Sequence, residues 1–221
     1  MGNTRTQQIM LWGRTSSCNV QKVLWTLEEL SLPYAHVPAG GDFGGLDDPA
    51  SLAMNPNGRV PTLQDGNLVL WESDAIVRYL AMRYGAGTLW PEDVGECARA
   101  DQWMTWGTVE LVPDWIALFW RLVRTPAALR DTAVIARHLE ATSRRMRLLD
   151  RHLADHRYLA GDRFTMADIP AGMTLYRWYA MDIERPQTPR VEEWNAQLCD
   201  RPAYKKDVCI PFDDLIGKEN F

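Results

Sequence analysis

Apolar residues near the start of the chain follow first the spacing of a strand and then that of a helix. Residues 8–12 predict a first strand, and residues 19–30 carry apolar side chains every three or four positions, as one face of a helix does. Tyr34–Val37 predicts a second strand. The chain is therefore expected to open as strand, helix and strand.

A hairpin and a second helix are predicted next. Residues 38–45 contain four glycines and predict a loop. Short apolar runs at 61–64 and 68–71 flank Asp-Gly-Asn at 65–67, a sequence that favours a tight turn between antiparallel strands. Residues 75–84 return to helical spacing, so the predicted order is β-α-β-loop-β-β-α.

The rest of the chain shows only helical patterns. Residues 85–95 contain three glycines and a proline, which indicates a boundary between two domains. The long apolar stretch 96–124 is interrupted by Pro113, so we expect a kinked helix. The predicted fold class is therefore α/β followed by all-α.

Capping residues predict where three later helices begin. Threonine precedes proline at 125–126 and at 188–189, so a helix should start within two residues of each threonine. Thr165 and Asp168 predict another start, with the threonine as N-cap and the aspartate near the free N–H groups. We assign Thr165 and Asp168 to folding rather than to binding.

Composition and charge narrow the class of partner. The chain has 221 residues, 46% of them hydrophobic, which is enough for a packed core. Its formal net charge of -5 and scattered Lys and Arg offer no basic stripe for nucleic acid, and no apolar run is long enough to span a membrane. A small-molecule partner is the expectation.

The cysteines indicate the compartment. Cys18, Cys97, Cys199 and Cys209 lie far apart, without a CxxC pair or the Cys/His spacing of metal ligands. This argues against both a disulfide framework and a metal site. Because the N-terminus also lacks the apolar segment of a secretory signal, we expect a reducing, cytoplasmic location.

Two motifs predict a site for a small peptide. A bond before proline is the common place for a cis peptide, and a turn at Pro61 can leave the N–H and C=O of Val60 open to pair with a peptide ligand. Ser73 at a helix N-terminus offers an anion site, and Glu72 offers an acceptor for an ammonium group. Glutathione, with its free α-carboxylate and α-ammonium, fits both.

These motifs, in this order and separation, resemble those of the cytosolic glutathione S-transferases. The resemblance covers nearly the whole chain and implies a thioredoxin-like glutathione-binding domain over residues 1–84, a linker over 85–95 and an all-helical domain over 96–221. It further implies a homodimeric enzyme without a metal, which uses glutathione as co-substrate and a small hydrophobic electrophile as second substrate. The loop at 13–19 has no tyrosine and resembles the serine-type classes, such as theta, zeta and their bacterial relatives.

The resemblance leaves two serines as candidates to activate the glutathione thiol. The theta-like pattern selects Ser17 and the zeta-like Ser-Ser-Cys run selects Ser16. We prefer Ser17, which lies nearest the predicted first turn of the helix, where free N–H groups stabilise negative charge. Thr15 is a weaker candidate. Thiol-type relatives place a cysteine in this loop, so Cys18 keeps a glutathione-dependent reductase open as an alternative.

Further residues are expected around this centre. Arg59, with Asn55 and Asn57, surrounds the proline turn and could contact the glycyl carboxylate of glutathione. An apolar wall for the second substrate is predicted from the kinked helix and consists of Trp103, Trp106 and Leu111, with Trp115 and the tail residue Phe212 as weaker candidates. Asp101 is interpreted as an exposed helix charge.

Other functions on the same site also stay open at this point. One is a glutathione-dependent isomerase or dehalogenase. Another is a protein that has lost catalysis and binds glutathione or hydrophobic ligands. The predicted second site is built from apolar side chains, which carry little chemical specificity, so the sequence does not name the electrophile.

Overall fold

The structure is a computed structural model that describes residues 8–219. The first seven residues, which contributed to the expectation of a cytoplasmic location, lie outside this range. The outer ends of the two predicted domains, at residues 1–7 and 220–221, lie outside it as well.

Four strands form one mixed sheet in the order β2-β1-β3-β4. The first strand, β1 (Ile9–Trp12), pairs in parallel with β2 (Tyr34–Val37) and antiparallel with β3 (Thr62–Asp65). The edge strand β4 (Leu68–Trp71) pairs antiparallel with β3 across the predicted turn. The predicted strands and their hairpin are confirmed.

Three helices accompany the sheet. The first, α1 (Cys18–Glu29), is buried over eight consecutive residues, because it packs against the sheet and α3 (Ser73–Tyr84) on one side and against the helical domain on the other. The short helix α2 (Pro49–Met54) was not predicted. None of its residues is buried, so it carries no apolar stripe that could indicate a helix.

The second half of the described chain is helical. Its helices are α4 (Val94–Trp106), α5 (Val112–Phe119), α6 (Thr132–His152), α7 (Asp168–Ala180), α8 (Pro189–Cys199) and α9 (Pro202–Asp207). Wide π turns at Gly107–Leu111 and Trp120–Arg124 follow α4 and α5. Pro113 lies in the first turn of α5, where its missing N–H is tolerated. Where the sequence predicts a kink, the structure has the π turn Gly107–Leu111 and then the start of α5.

Of the two helix starts predicted at Thr-Pro pairs, one is confirmed and one is wrong. The helix α8 begins at Pro189 as predicted. After Thr125, by contrast, the chain makes only a single 3-10 turn, and α6 begins at Thr132. The reason is a better cap, since the carboxylate of Asp131 accepts the N–H groups of Ala133 and Val134 at 2.9 and 3.1 Å.

Asp168 meets backbone N–H groups as predicted, but the predicted N-cap is wrong, because α7 begins at Asp168 and its N-cap is Ala167 rather than Thr165. The carboxylate of Asp168 is fully buried and accepts the N–H of Leu159 and the N–H of Thr165, both at 3.0 Å. The hydroxyl of Thr165 accepts the N–H of Ala167 at 3.3 Å in return. Burial raises the pKa of the Asp168 carboxyl to about 7, although these N–H groups act in the opposite direction.

Trp25 joins the two halves of the molecule. It projects from α1 into the core of the helical domain, where its ring centre lies 5.3 Å from that of Phe164 and 4.8 Å from that of Tyr204. Gly172 makes room for it, because a Cβ at this position would stand 3.1 Å from the indole and 2.9 Å from Leu198. The helix α1 therefore belongs to both hydrophobic cores.

Asp207 should make stability depend on pH. It is buried at the end of α9, and its Oδ2 has no hydrogen-bond partner within residues 8–219. Burial raises its pKa to about 6, while Lys206 acts to lower it. Because an unfolded aspartate has a pKa of about 3.9, this group contributes stability at low pH that is lost as the pH rises to about 6.

We therefore expect Asp207→Asn to raise the free energy of unfolding by about 1 kcal/mol at neutral pH, and the gain to vanish near pH 4. Urea unfolding at one protein concentration across this pH range measures it. Asp200→Asn, at the exposed end of α8, is the matched control and should change little. An equal gain at every pH would contradict the prediction.

Candidate active site

A cavity of about 540 Å³ lies between the sheet domain and the helical domain. Residues of both domains line it, and they come from the loop before α1 and its first turn, the glycine-rich loop after β2, the segment around the proline turn, α5 with its following π turn, α7 and the tail. They are Arg14, Ser16, Ser17, Cys18, Asn19, Gly41, Leu46, Gly58, Arg59, Val60, Ile116, Phe119, Trp120, Arg124, Arg177, Leu215 and Glu219.

Ser17 stands at the N-terminus of α1 on the wall of this cavity. Its N–H donates to the C=O of Arg14 at 3.1 Å, and its C=O accepts the N–H of Gln21 at 2.9 Å. Its side chain makes no capping hydrogen bond to the helix. The backbone therefore fixes the residue, while the hydroxyl remains available to a ligand beside the positive end of the helix.

The other loop candidates differ in position. Ser16 lines the cavity, and its C=O accepts a hydrogen bond of 2.7 Å from Nη2 of Arg177. Thr15 is exposed, and its C=O accepts Nε2 of Gln21 at 3.0 Å. Cys18, the first residue of α1, lies on the same wall as the two serines.

The proline turn presents a backbone edge to the cavity. The Val60-Pro61 bond is cis, and Val60 lines the cavity. Within the described part of the chain, neither the N–H nor the C=O of Val60 has a hydrogen-bond partner. Asn55 holds the turn from behind, because its buried amide donates to the C=O of Arg59 at 2.8 Å.

Glu72 and Ser73 lie at the N-terminus of α3. Glu72 is exposed and adopts a left-handed backbone conformation, with φ of 69°, which is uncommon for a residue with a side chain. Ser73 is buried, and its hydroxyl donates to Oδ1 of the cavity residue Asn19 at 3.3 Å. The pair thus adjoins the cavity at the side of α1.

A buried lysine that the sequence analysis missed supports Ser73. The ammonium of Lys22 donates to the hydroxyl of Ser73 at 3.3 Å and forms an ion pair of 3.1 Å with Asp74. Asp74 also accepts the hydroxyl of Thr108 from the helical domain at 2.7 Å. No local pattern marks Lys22, since the helical domain covers the side of α1 on which a lysine would normally meet solvent.

The structure does not bring the predicted substrate wall to the cavity. Leu111 and Trp115 are fully buried in the core and have no surface for a ligand. Trp103 packs against Trp106 at 5.3 Å and against His152 at 4.2 Å between ring centres, and neither tryptophan lines the cavity. Burial therefore excludes Leu111 from contact with a substrate, and the assignment of Trp103 and Trp106 stays a prediction that the lining of this cavity does not support.

The apolar wall instead comes from one and two turns further along the same segment. It consists of Ile116, Phe119 and Trp120, with Leu215 from the tail. Phe212 packs behind it, with its ring centre 5.3 Å from that of Phe119. The π turn at Gly107–Leu111 lies between Trp106 and this wall and changes the helical phase, so a count at regular helical spacing could not locate this face.

The sequence analysis also considered Arg59 and Asp101, and the structure places one of them at the cavity and the other outside it. Arg59 is exposed and lines the cavity beside the proline turn. Asp101 is half-exposed and forms an ion pair of 2.5 Å with Arg78 outside the cavity. Over residues 8–219 there is no cluster of three or more metal-ligating side chains and no helix long and apolar enough to cross a membrane.

The structure combines a small mixed sheet, a cis-proline turn and a helical domain, with a serine at a helix N-terminus lining the cavity between the domains. This is the architecture of the glutathione transferases. Comparison of the sequence with known protein families leads to the same class. Residues 11–88 match the glutathione S-transferase N-terminal domain, and residues 132–196 match the C-terminal domain. The chain belongs to the glutathione S-transferase family.

Similar proteins cover nearly the whole chain. Glutathione S-transferase GstB of Escherichia coli K12 is 43% identical over 205 residues, which are 92% of this chain and 99% of that protein. Glutathione S-transferase 3 of Zea mays is 32% identical, over 90% of this chain and 93% of that protein. Among solved structures, the theta class enzyme of Xanthomonas axonopodis pv. citri with glutathione bound has a TM-score of 0.89 and 48% identity, over 93% of this chain and 99% of that chain.

Proposed function

We propose that this protein is a glutathione transferase that activates the glutathione thiol with Ser17 and adds it to a small electrophile. The observation that carries the proposal is the position of Ser17, which lines the interdomain cavity at the N-terminus of α1 and whose side chain caps no helix N–H. The relatives are named glutathione S-transferases, and one structural neighbour holds glutathione.

Glutathione fits the cavity in one direction. Its cysteinyl backbone pairs with the open N–H and C=O of Val60, as an added strand would. Its γ-glutamyl carboxylate binds at Ser73 and the N-terminus of α3, and its ammonium binds Glu72. The glycyl carboxylate then lies toward Arg59. This direction brings the thiol to the loop that carries Ser17.

The chemistry required of Ser17 is modest. Free glutathione has a thiol pKa of roughly 8.5 to 9, so little thiolate exists at neutral pH. A hydrogen bond from the Ser17 hydroxyl to sulfur, together with the free N–H groups of α1, favours the thiolate by about two pKa units. The thiolate attacks the electrophilic carbon, a C–S bond forms, and the leaving group departs with the bonding electrons.

The second substrate occupies the apolar wall of Ile116, Phe119 and Trp120. In the same proposal the protein is a homodimer in the cytoplasm, which agrees with the family and with the widely spaced cysteines. No metal is required for thiol activation of this kind.

Titration of the thiolate absorbance in the ultraviolet, with glutathione bound to the native protein, tests the proposal. We expect a thiol pKa near 7, and formation of a conjugate with 4-chloro-3-nitrobenzamide that mass spectrometry identifies. S-methylglutathione, which has no thiol, should bind competitively and abolish the titration. Absence of glutathione binding would overturn the assignment.

Cys18 supports one second candidate, a glutathione-dependent reductase, because this thiol lies on the cavity wall beside the serines. In a reductase, Cys18→Ala abolishes the reduction of mixed disulfides by glutathione. In the transferase that we propose, the same substitution leaves conjugation close to its native rate. The two assays on one variant therefore separate the two functions.

A further inference from the structure

The loop before α1 is held at each backbone carbonyl from residue 13 to residue 17. Four of these carbonyls accept hydrogen bonds from the sheet domain itself. The donors are Nε2 of His36 to Gly13 at 2.7 Å, the N–H of Ser17 to Arg14 at 3.1 Å, Nε2 of Gln21 to Thr15 at 3.0 Å and the N–H of Gln21 to Ser17 at 2.9 Å. The C=O of Ser16 differs, because its donor is Nη2 of Arg177, 161 residues away in α7, at 2.7 Å. One carbonyl of the loop is therefore held by the helical domain.

This carbonyl belongs to the peptide plane that precedes Ser17. A peptide unit is planar, so the C=O of Ser16 and the N–H of Ser17 turn together. The N–H is bonded within the loop, and the C=O is bonded to Arg177. The two bonds fix the plane at both of its edges. Because the next rotatable bond is φ of Ser17, which is -80°, the orientation of this plane sets the direction of the Ser17 side chain.

Arg177 is itself firmly placed. Its side chain is 3% exposed, and its guanidinium carbon lies 4.8 Å from the ring centre of Phe119 and 5.8 Å from that of Phe212. Within residues 8–219, the hydrogen bond to Ser16 is the only one that this side chain makes, and its Nε is buried without a partner. A buried guanidinium with so few partners is costly, and an apolar side chain would satisfy the packing at lower cost.

The surroundings keep the guanidinium charged. Burial lowers the pKa of Arg177, the charges of Cys18, Asp214 and Tyr176 act to raise it, and that of Arg14 acts to lower it. An arginine lowered from its ordinary value still carries its proton at neutral pH. A charged donor bonds a carbonyl about twice as strongly as a neutral one. The bond to Ser16 is therefore a strong link between the two domains.

We propose that Arg177 is a positioning residue for thiol activation, which holds the Ser16–Ser17 peptide from the helical domain so that the Ser17 hydroxyl stays directed at the glutathione sulfur. This inference rests on the proposed transferase function and adds to it a residue that acts through Ser17. Arg177 exchanges no proton and forms no covalent bond in the reaction. The helical domain, which carries the apolar wall, then also controls the reactivity of the thiol.

A double-mutant cycle over Arg177 and Ser17 tests the proposal. Thiolate absorbance of bound glutathione gives the thiol pKa in the native protein, in Arg177→Met, in Ser17→Ala and in the double variant. We expect Arg177→Met to raise this pKa by about one unit when Ser17 is present and to lower kcat/KM near neutral pH about tenfold. With alanine at position 17 the rise should be below about 0.3 unit, because no hydroxyl is left to position.

A rescue variant and a matched control separate positioning from stability. Arg177→Lys keeps the charge and N–H donors on a shorter side chain, so it should restore part of the low pKa. Arg185 also donates to backbone carbonyls of the helical domain, those of Trp178 at 3.1 Å and Met181 at 2.7 Å, but it does not line the cavity. Arg185→Met should lower the stability to urea and leave the thiol pKa unchanged. If Arg177→Met does not fold, the same cycle with Arg177→Lys should give a smaller rise, again only when Ser17 is present.

The outcomes distinguish the inference from the proposed function. Equal rises in pKa with and without the Ser17 hydroxyl would overturn the inference, since Arg177 would then act on the sulfur directly through its charge. An unchanged pKa in the Arg177 variants would overturn it as well, and both results leave the transferase function in place. An unchanged pKa in Ser17→Ala alone would overturn the assignment of the activating serine, and the inference with it. Failure of the native protein to bind glutathione would overturn the proposed function itself.

Discussion

Alanine at position 17 should raise the pKa of the bound glutathione thiol by between one and two units and lower kcat/KM near neutral pH about tenfold to a hundredfold. The hydroxyl is the group at the N-terminus of α1 that can donate to sulfur, since the Ser17 backbone is already engaged with Arg14 and Gln21. What remains in Ser17→Ala is the contribution of the free N–H groups of the helix.

The measurement is the thiolate absorbance of bound glutathione against pH, combined with a pH profile of kcat/KM. At high pH, where free glutathione is itself ionised, the variant should approach the native rate. A merely structural loss would reduce the rate at every pH. Ser16→Ala is the matched control, because Ser16 lines the same cavity one position earlier. If Ser16→Ala raises the pKa and Ser17→Ala does not, the assignment of the activating serine is wrong.

Methionine in place of Lys22 should destabilise the protein by about 3 kcal/mol and weaken glutathione binding about tenfold. The ammonium is buried, with 2% of its side chain exposed, and it is the ion-pair partner of Asp74, whose side chain is 12% exposed. Its removal leaves a carboxylate in a poorly hydrated place. It also removes the donor to Ser73, the residue proposed to bind the γ-glutamyl carboxylate.

The double variant Lys22→Met/Asp74→Leu separates the two effects. It leaves no buried charge behind, so most of the lost stability should return, as it does when buried ion pairs are replaced by apolar side chains of similar size. The affinity for glutathione should stay low, because Ser73 still lacks its donor. Urea unfolding and calorimetric titration with glutathione give the two quantities.

Lys206→Met provides the comparison for Lys22→Met. Lys206 forms an ion pair with Glu28, but 58% of its side chain is exposed, so its loss should cost less than about 1 kcal/mol and leave glutathione binding unchanged. Equal destabilisation by the two substitutions would mean that burial of the Lys22–Asp74 pair has no energetic consequence.

The sequence predicts best what local contacts decide. The strands and the hairpin turn follow from short-range patterns and turn chemistry, and they lie where the pattern predicts them. The hydrogen bond between Thr165 and Asp168 follows from residues three positions apart. The Val60-Pro61 and Glu72-Ser73 motifs indicate the kind of ligand, because their chemistry resides in neighbouring residues.

What could not be predicted depends on contacts between distant segments. Lys22 and Arg177 are buried because two domains close over them, and both would be assigned to solvent from their neighbours alone. The apolar wall is predicted at Trp103, Trp106 and Leu111, because regular helical spacing gives no sign of the π turn at Gly107–Leu111 that changes the phase before α5. The six-residue helix α2 has no buried face to indicate it.

The position of Trp25 restricts how this architecture can be recombined. The indole enters the helical domain beside Gly172, where any larger residue would meet both Trp25 and Leu198. A chimera that grafts the helical half of another transferase onto this sheet must therefore bring a matching socket for the indole. Since Ser17 is the N-cap of the same helix, a poorly seated tryptophan would also displace the serine that we propose as thiol activator, so we expect that the helical half cannot be exchanged as an independent module.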